Sequence, residues 1–280
     1  MNFFRMDDLM NAARKQGSAL GAFECWDSLN IQAICIAADR CRFPVILQAS
    51  PAEYNLMGGA DALVDIARFY VKKYQVTAAL HLDHGSTLEH VRECLAAGFS
   101  SVMLDASVCD FEKNIELSRS AAELAAEYNA SCEAELGHVG GGGDGGAQTE
   151  SVLTVPAEAA EFVRRTGINC LAVAIGTVHG DYKGKPELRL DRLKEIASLV
   201  DVPLVLHGGS GTPPELLGQA IKLGIAKINI CTDINKAMLN AIDHAKTCLT
   251  PSVPGNFYQP AVEAVANKTQ ELIRLFKGGL

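Results

Sequence analysis

Eight short apolar runs punctuate this 280-residue chain, and amphipathic stretches with apolar residues at helical spacing lie between them. The runs are nearly continuous rather than alternating, as strands covered on both faces of a parallel sheet are. These two observations predict a TIM (β/α)8 barrel, formed as a single domain over residues 1–280. A doubly wound sheet is the structural rival. It usually has fewer strands and a glycine-rich turn near its start, and this chain shows no such turn there.

The strands are expected at residues 19–23, 45–49, 78–82, 101–105, 131–135, 171–175, 204–206 and 226–230. Helical spacing is clearest over 88–97 and 111–128. Turn signals divide the elements at Ala97-Gly98, Thr166-Gly167, Val202-Pro203 and Leu223-Gly224. One stretch breaks the rhythm: HVGGGGDGGAQTES, residues 138–151, holds too many glycines for a regular element. Strands continue beyond it, so it reads as a long active-site loop after the fifth strand rather than a linker.

Composition narrows the function. The hydrophobic share of 48% is ample for the core of one such domain. The net charge of -8, with no basic cluster, argues against a nucleic-acid partner. No apolar run approaches the roughly 18 residues of a membrane span, and the first residues lack a signal-peptide core. The nine cysteines (25, 35, 41, 94, 109, 132, 170, 231 and 248) form no CxxC pair, which reads as reduced, mostly buried thiols in a cytoplasmic protein.

A barrel demands that functional residues gather just past the C-terminal ends of its strands. They do here. Asp83 and His84 end the third strand and Asp105 the fourth, while Glu133 and Glu135 lie in the fifth. His179 follows the sixth, His207 the seventh, and Asn229 and Thr232 close the eighth. Three neutral imidazoles with an open position suit a catalytic zinc, a Lewis acid for an oxygen-rich substrate. HGGSGTPPE, residues 207–215, and NICTD, residues 229–233, follow the seventh and eighth strands, where barrels commonly bind phosphate. Gly208, Gly209 and Gly211 let the backbone approach an anion, Ser210 and Thr232 add hydroxyls, and Lys183 in HGDYKGKP supplies a cation nearby. His81 reads as a buried structural imidazole.

With these residues in view, the sequence resembles the class II, zinc-dependent fructose-bisphosphate and tagatose-bisphosphate aldolases. The motifs HLDHG, SVMLDAS, EAELGHVGG, AVAIGTVHG, LVLHGGSG and KINICTD carry the resemblance, which runs from GAFE to the C-terminal helix. It implies that His84, His179 and His207 hold zinc and that Asp83 moves the proton. It implies that Asp105 and Glu135 bind metal at an alternative site, for a second divalent or a monovalent cation. Gly180, Gly208, Gly209, Ser210, Asn229, Ile230, Cys231 and Thr232, with Lys183 beside them, match the segments that hold dihydroxyacetone phosphate. The partner implied is a small sugar phosphate, and the assembly a homodimer or homotetramer.

Three departures bear on the substrate. Glu24 stands where most relatives have asparagine, Gly143-Asp144-Gly145 where they read Glu-Asp-Gly, and Gly255 where many have an arginine for a second phosphate. The expectation is therefore an aldolase for a ketose 1-phosphate whose acceptor end is not phosphorylated. A fructose- or tagatose-1,6-bisphosphate aldolase is the alternative. A metal-dependent hydrolase or isomerase, a Schiff-base aldolase using Lys227 and a non-catalytic sugar-phosphate sensor are readings of other classes.

Overall fold

The computed structural model describes residues 3–141, 150–182, 184, 186–248 and 253–278. Strands β1 (Leu20–Glu24), β2 (Val45–Ala49), β3 (Ala78–Gly85), β4 (Ser101–Leu104), β5 (Ser131–Leu136), β6 (Cys170–Val173), β7 (Leu204–Leu206) and β8 (Ile225–Ile230) pair in parallel in sequence order. β8 returns to β1 and closes the barrel, so the expected (β/α)8 fold is the one observed.

The strand ends differ from expectation for local reasons. β3 does not stop at Leu82 but runs on to Gly85, because its pairing with β4 slips there and Asp105 N donates to Gly85 O at 2.8 Å. β4 ends at Leu104, one residue before Asp105, whose Oδ1 accepts from Ser107 N and turns the chain. β6 ends at Val173, because the peptide N–H and C=O of Ala174 bond to Thr154 instead of a neighbouring strand.

Alternation along each strand divides the interior from the exterior. The outward side chains, among them Phe23, Leu47, Leu80, Leu82, Val102, Leu171 and Ile228, form one large core beneath the helices. The inward side chains separate into two zones. At the lower end Leu20, Ala22, Ile46, Ala79, Ala172 and Val205 pack with Met6 and Met10 of the helix Met6–Lys15, which stops the barrel from below. At the upper end the inward positions are polar, and Glu24, Gln48, His81, Asp83, Glu133, Glu135, His207, Lys227 and Asn229 are all buried. An apolar floor thus supports a buried polar layer, in which each group must find a partner to offset its desolvation.

The helices start and stop by local chemistry. Asp27, Thr87 and Asp110 each accept a backbone N–H of the first turn, a cap worth about 1 kcal/mol. Gly98 and Gly167 end two helices with positive φ, as the turn signals predict. Cys25, Cys35, Cys94, Cys132 and Cys170 are buried free thiols. Among the described residues no helix is long and apolar enough to cross a membrane.

Candidate active site

The three histidines expected to act together meet at the upper mouth of the barrel. The His84 and His207 ring centroids lie 4.7 Å apart, those of His84 and His179 5.0 Å, and those of His179 and His207 5.7 Å. Each ring is nearly perpendicular to the other two.

What each imidazole presents to this centre follows from the partner of its other nitrogen. His84 Nδ1 lies 2.8 Å from Asp105 Oδ2 and donates to that carboxylate. His179 Nδ1 lies 3.1 Å from Val139 O and must donate to the carbonyl. His207 Nε2 lies 2.8 Å from Glu133 Oε1 and donates there. In the neutral rings the remaining nitrogens, Nε2 of His84 and of His179 and Nδ1 of His207, then carry the lone pairs.

A metal ion fits this donor set. One ring nitrogen from each histidine can be chosen so that all three lie within 4.8 Å of one another. His84 Nε2 and His207 Nδ1 are 3.0 Å apart, near the roughly 3.3 Å between two nitrogens of one tetrahedral zinc. Two lone pairs at that separation repel unless a cation lies between them. Burial, and next the charge of His84, holds the His207 imidazole well below its ordinary pKa, and the neutral ring is the ligating form.

Asp105 and Glu135 sit behind His84, and ligand atoms of these three residues also lie within 4.8 Å of one another. Burial alone would raise the Asp105 carboxyl, but the hydrogen bond and charge of His84, aided by Ser107, hold it well below the usual range. Glu135 goes the other way. Burial, then the neighbouring Asp105 charge, pushes its carboxyl up to about 8. Its Oε1 accepts from Val139 N at 2.8 Å, while its Oε2 accepts no hydrogen bond. Because Val139 O is the acceptor for His179, Glu135 also steadies that imidazole through one residue of backbone.

Asp83 stands beside the centre, held by two amides. Gln48 Nε2 donates to Asp83 Oδ2 at 2.9 Å, and Asn229 Nδ2 approaches both carboxylate oxygens at 3.2 and 3.3 Å. Gln48 Nε2 also donates to Glu24 Oε2 at 2.9 Å, and Glu24 Oε1 accepts from Ser50 N at 3.0 Å. With a carboxylate on each side, the Gln48 amide has no choice of orientation. Its Oε1 is left buried with no hydrogen bond.

A narrow cleft opens above these groups. It is lined by Glu24, Gln48 and Asp83 at the ends of β1, β2 and β3, by His84, His179 and Gly180, by Gly208 and Ser210 after β7, and by Asn229, Cys231 and Thr232 at the end of β8, which pairs with β1. Thr232 begins the helix Thr232–Cys248 just after β8, so the N–H groups of its first turn lack partners within the helix. Asp233 N donates to Ser210 Oγ at 3.2 Å and ties the turn to that helix. Gly208 has a φ of +66°, and a Cβ there would lie 2.4 Å from Val178 O.

Two of the expected contact residues stand back from the cleft. Gly209 N donates to Asn229 O, and the Ile230 side chain packs in the outer core, so both support the site through backbone. Lys183, Gly143 and Asp144 lie outside the described residues. Gly255 begins the helix Gly255–Phe276 and is not among the residues lining the cleft. Lys227, whose facing was open, points inward, and His81 is buried with Nδ1 2.8 Å from Ser101 Oγ. Gln48 escaped sequence reasoning. The signal was there, one amide in the otherwise apolar run VILQA.

The profile of the family described as "Fructose-bisphosphate aldolase class-II" matches residues 4–279. A "Probable fructose-bisphosphate aldolase" of Bacillus subtilis is 39% identical, over 95% of this chain and 94% of its own length. "D-tagatose-1,6-bisphosphate aldolase subunit GatY" of Klebsiella oxytoca is 36% identical, over 96% and 95%. The crystal structure of the YdjI aldolase from Escherichia coli K12 superposes with a TM-score of 0.88 at 32% identity, covering 99% of this chain and 97% of that one. The sensor and hydrolase readings give way to a carbon–carbon lyase: the chain belongs to the class II fructose-bisphosphate aldolase family.

Proposed function

We propose that this protein is a zinc-dependent aldolase that reversibly cleaves a ketose 1-phosphate to dihydroxyacetone phosphate and an aldehyde, with preference for an acceptor end that carries no phosphate. The observation that carries the proposal is the convergence of three imidazole lone pairs beside the doubly held carboxylate of Asp83. His84, His179 and His207 would hold a zinc ion, which would supply a Lewis acid for the negative charge on the donor fragment in C3–C4 cleavage. The set of His84, Asp105 and Glu135 suits an alternative position for a second divalent or a monovalent cation.

The chain's own residues do the rest. Asp83 takes the C4 hydroxyl proton in cleavage and returns it in condensation, and the Gln48 and Asn229 amides keep its oxygens aimed. Ser210, Thr232, the turn at Gly208 and the start of the helix Thr232–Cys248 suit the phosphate of the donor fragment.

The acceptor preference rests on the Glu24 side of the cleft. Two carboxylates, bridged by the Gln48 amide, meet there, and no described residue lining the cleft is lysine or arginine. Such a wall accepts hydrogen bonds and repels an anion, which favours hydroxyl groups on the aldehyde. The names of the relatives favour a second reading, a bisphosphate substrate. A cytoplasmic homodimer or homotetramer, each chain one barrel domain, belongs to the same proposal on the strength of the family resemblance.

Metal analysis and kinetics test it together. The purified protein should hold stoichiometric zinc, and His179→Ala should lose it along with nearly all activity. The value of kcat/KM should be higher for 1-phosphates with a free far end than for fructose 1,6-bisphosphate. A bisphosphate advantage of more than about tenfold, about 1.4 kcal/mol, would reject the acceptor preference. Full turnover without metal would reject the whole reading.

A further inference from the structure

We propose, resting on the reading of His84, His179 and His207 as metal ligands, that Lys227 is a positioning residue of this enzyme: acting through Glu133, it decides which nitrogen of His207 keeps the lone pair. Lys227 is completely buried in β8 and is not among the residues lining the cleft. Its Nζ donates to Glu133 Oε2 at 2.9 Å, and the other oxygen of that carboxylate lies 2.8 Å from His207 Nε2. A buried ion pair is weak evidence of stabilisation, since an apolar pair of the same shape often does as well. Its place directly beneath a ligand calls for a functional reason.

The hydrogen-bond inventory supplies one. Lysine only donates, so the Glu133 oxygen facing it must accept. The carboxylate then accepts from His207 Nε2 on its other side, and His207 Nδ1 is left to face His84 Nε2 at 3.0 Å. A glutamine at 133 keeps the shape but offers one acceptor and one NH2. Next to Lys227 the amide oxygen must turn toward the ammonium, which leaves the NH2 facing His207 Nε2. The imidazole hydrogen is then displaced to Nδ1, where it blocks ligation. Removing Lys227 as well frees the amide to turn over. Its oxygen returns to His207, and its NH2 faces His81 Nε2, which lies 3.7 Å from Glu133 Oε2 and makes no hydrogen bond.

Lys227→Met should therefore repair the zinc affinity of Glu133→Gln, and the His207 tautomer separates this from mere relief of an unpaired buried charge, which would restore the melting temperature without depending on that tautomer. The experiment compares the intact wild-type protein with Glu133→Gln and with the double variant Glu133→Gln/Lys227→Met. Zinc affinity by chelator competition and the visible spectrum of the Co2+-loaded protein are the metal readouts, with thermal melting as the folding control. Histidine 15N spectra of the metal-free wild type report the tautomer directly. Glu133→Gln should bind zinc roughly 10- to 100-fold more weakly, in the range of losses for partners that orient a ligand. The double variant should regain most of that loss and a wild-type Co2+ spectrum. The wild-type 15N spectra should show His207 protonated on Nε2. Equal zinc affinity in Glu133→Gln and wild type, a double variant no better than the single, or His207 protonated on Nδ1 in the wild type would each overturn the proposal. If Glu133→Gln does not fold, the wild-type spectra and the double variant decide between these outcomes. A wild type that binds no stoichiometric zinc counts instead against the three-histidine site.

Discussion

His84 holds a φ of +45°, a left-handed backbone that residues with a side chain seldom take. That geometry lies at the bulge between β3 and β4, where the ring can reach Asp105 on one edge and the centre on the other. Strain of this kind costs about 1–3 kcal/mol and persists where surrounding contacts over-determine it. Its neighbour Asp83 keeps ordinary strand geometry and depends on two amides for its aim. Asp83→Asn should keep zinc and fold, because the new side chain has the same shape and lies outside the three-imidazole set. Cleavage should fall by roughly 10²- to 10⁴-fold, the usual share of a positioned acid or base. Single-turnover cleavage by the zinc-loaded variant checks this, and a loss of less than about tenfold would move the proton transfer to another group.

At the scale of elements, the turn after β7 shows how neighbouring loops shape one another. Gly208 combines a φ of +66° with a backbone oxygen, Val178 O, at 2.4 Å from where a Cβ would stand. Gly17 has nearly the same φ, +68°, but nothing within 4 Å of its Cβ position. The pair separates backbone strain from crowding. Gly17→Ala should cost about 1–2 kcal/mol of stability and leave kinetics unchanged. Gly208→Ala should cost at least as much and also push the turn away from the segment that carries His179. The KM for the phosphorylated donor should rise about tenfold, equivalent to about 1.4 kcal/mol of binding. An unchanged KM in Gly208→Ala would mean that the close approach of the two loops does not shape the phosphate end.

For the whole molecule, the buried polar layer makes stability depend on pH once metal is chelated. Burial, then the charges of Lys227 for His81 and of His84 for His207, hold both imidazoles well below their ordinary pKa in the fold. Below about pH 6.5 the unfolded chain binds protons at both that the fold refuses, so stability drops with falling pH. Glu135 has the opposite sign. Its carboxyl sits at about 8 in the fold, against about 4.3 unfolded, so between these values the fold holds a proton that the unfolded chain lacks. From pH 8 down to about 6.5 acidification therefore stabilises the metal-free protein, and below that the two imidazoles outweigh Glu135 by one proton, about 1.4 kcal/mol per pH unit. Urea midpoints in chelator should be highest near pH 6.5 and lower at both pH 5 and pH 8. A midpoint that climbs steadily from pH 5 to pH 8 would contradict this balance.

The sequence by itself determined the eight strands, the barrel and the placing of acids and imidazoles at the strand ends. Those properties depend on run length, alternation and turn residues, all of which act over a few neighbouring positions. Strand ends moved by only a few residues, where a bulge, an aspartate turn or Thr154 took over the backbone bonds. The family resemblance implied metal and proton-transfer roles for His84, His179, His207 and Asp83, and the structure brings those side chains together. Only the tertiary structure decided which nitrogen each imidazole presents, because the deciding partners come from other strands. Glu133 is 74 residues from His207 and 94 from Lys227 along the chain. The facing of Lys227 and the chain of contacts from Glu24 through Gln48 to Asp83 were closed to sequence reasoning for the same reason. A hydrogen bond depends on distance and direction in space, and those exist only once the sheet has closed and set strands remote in sequence side by side.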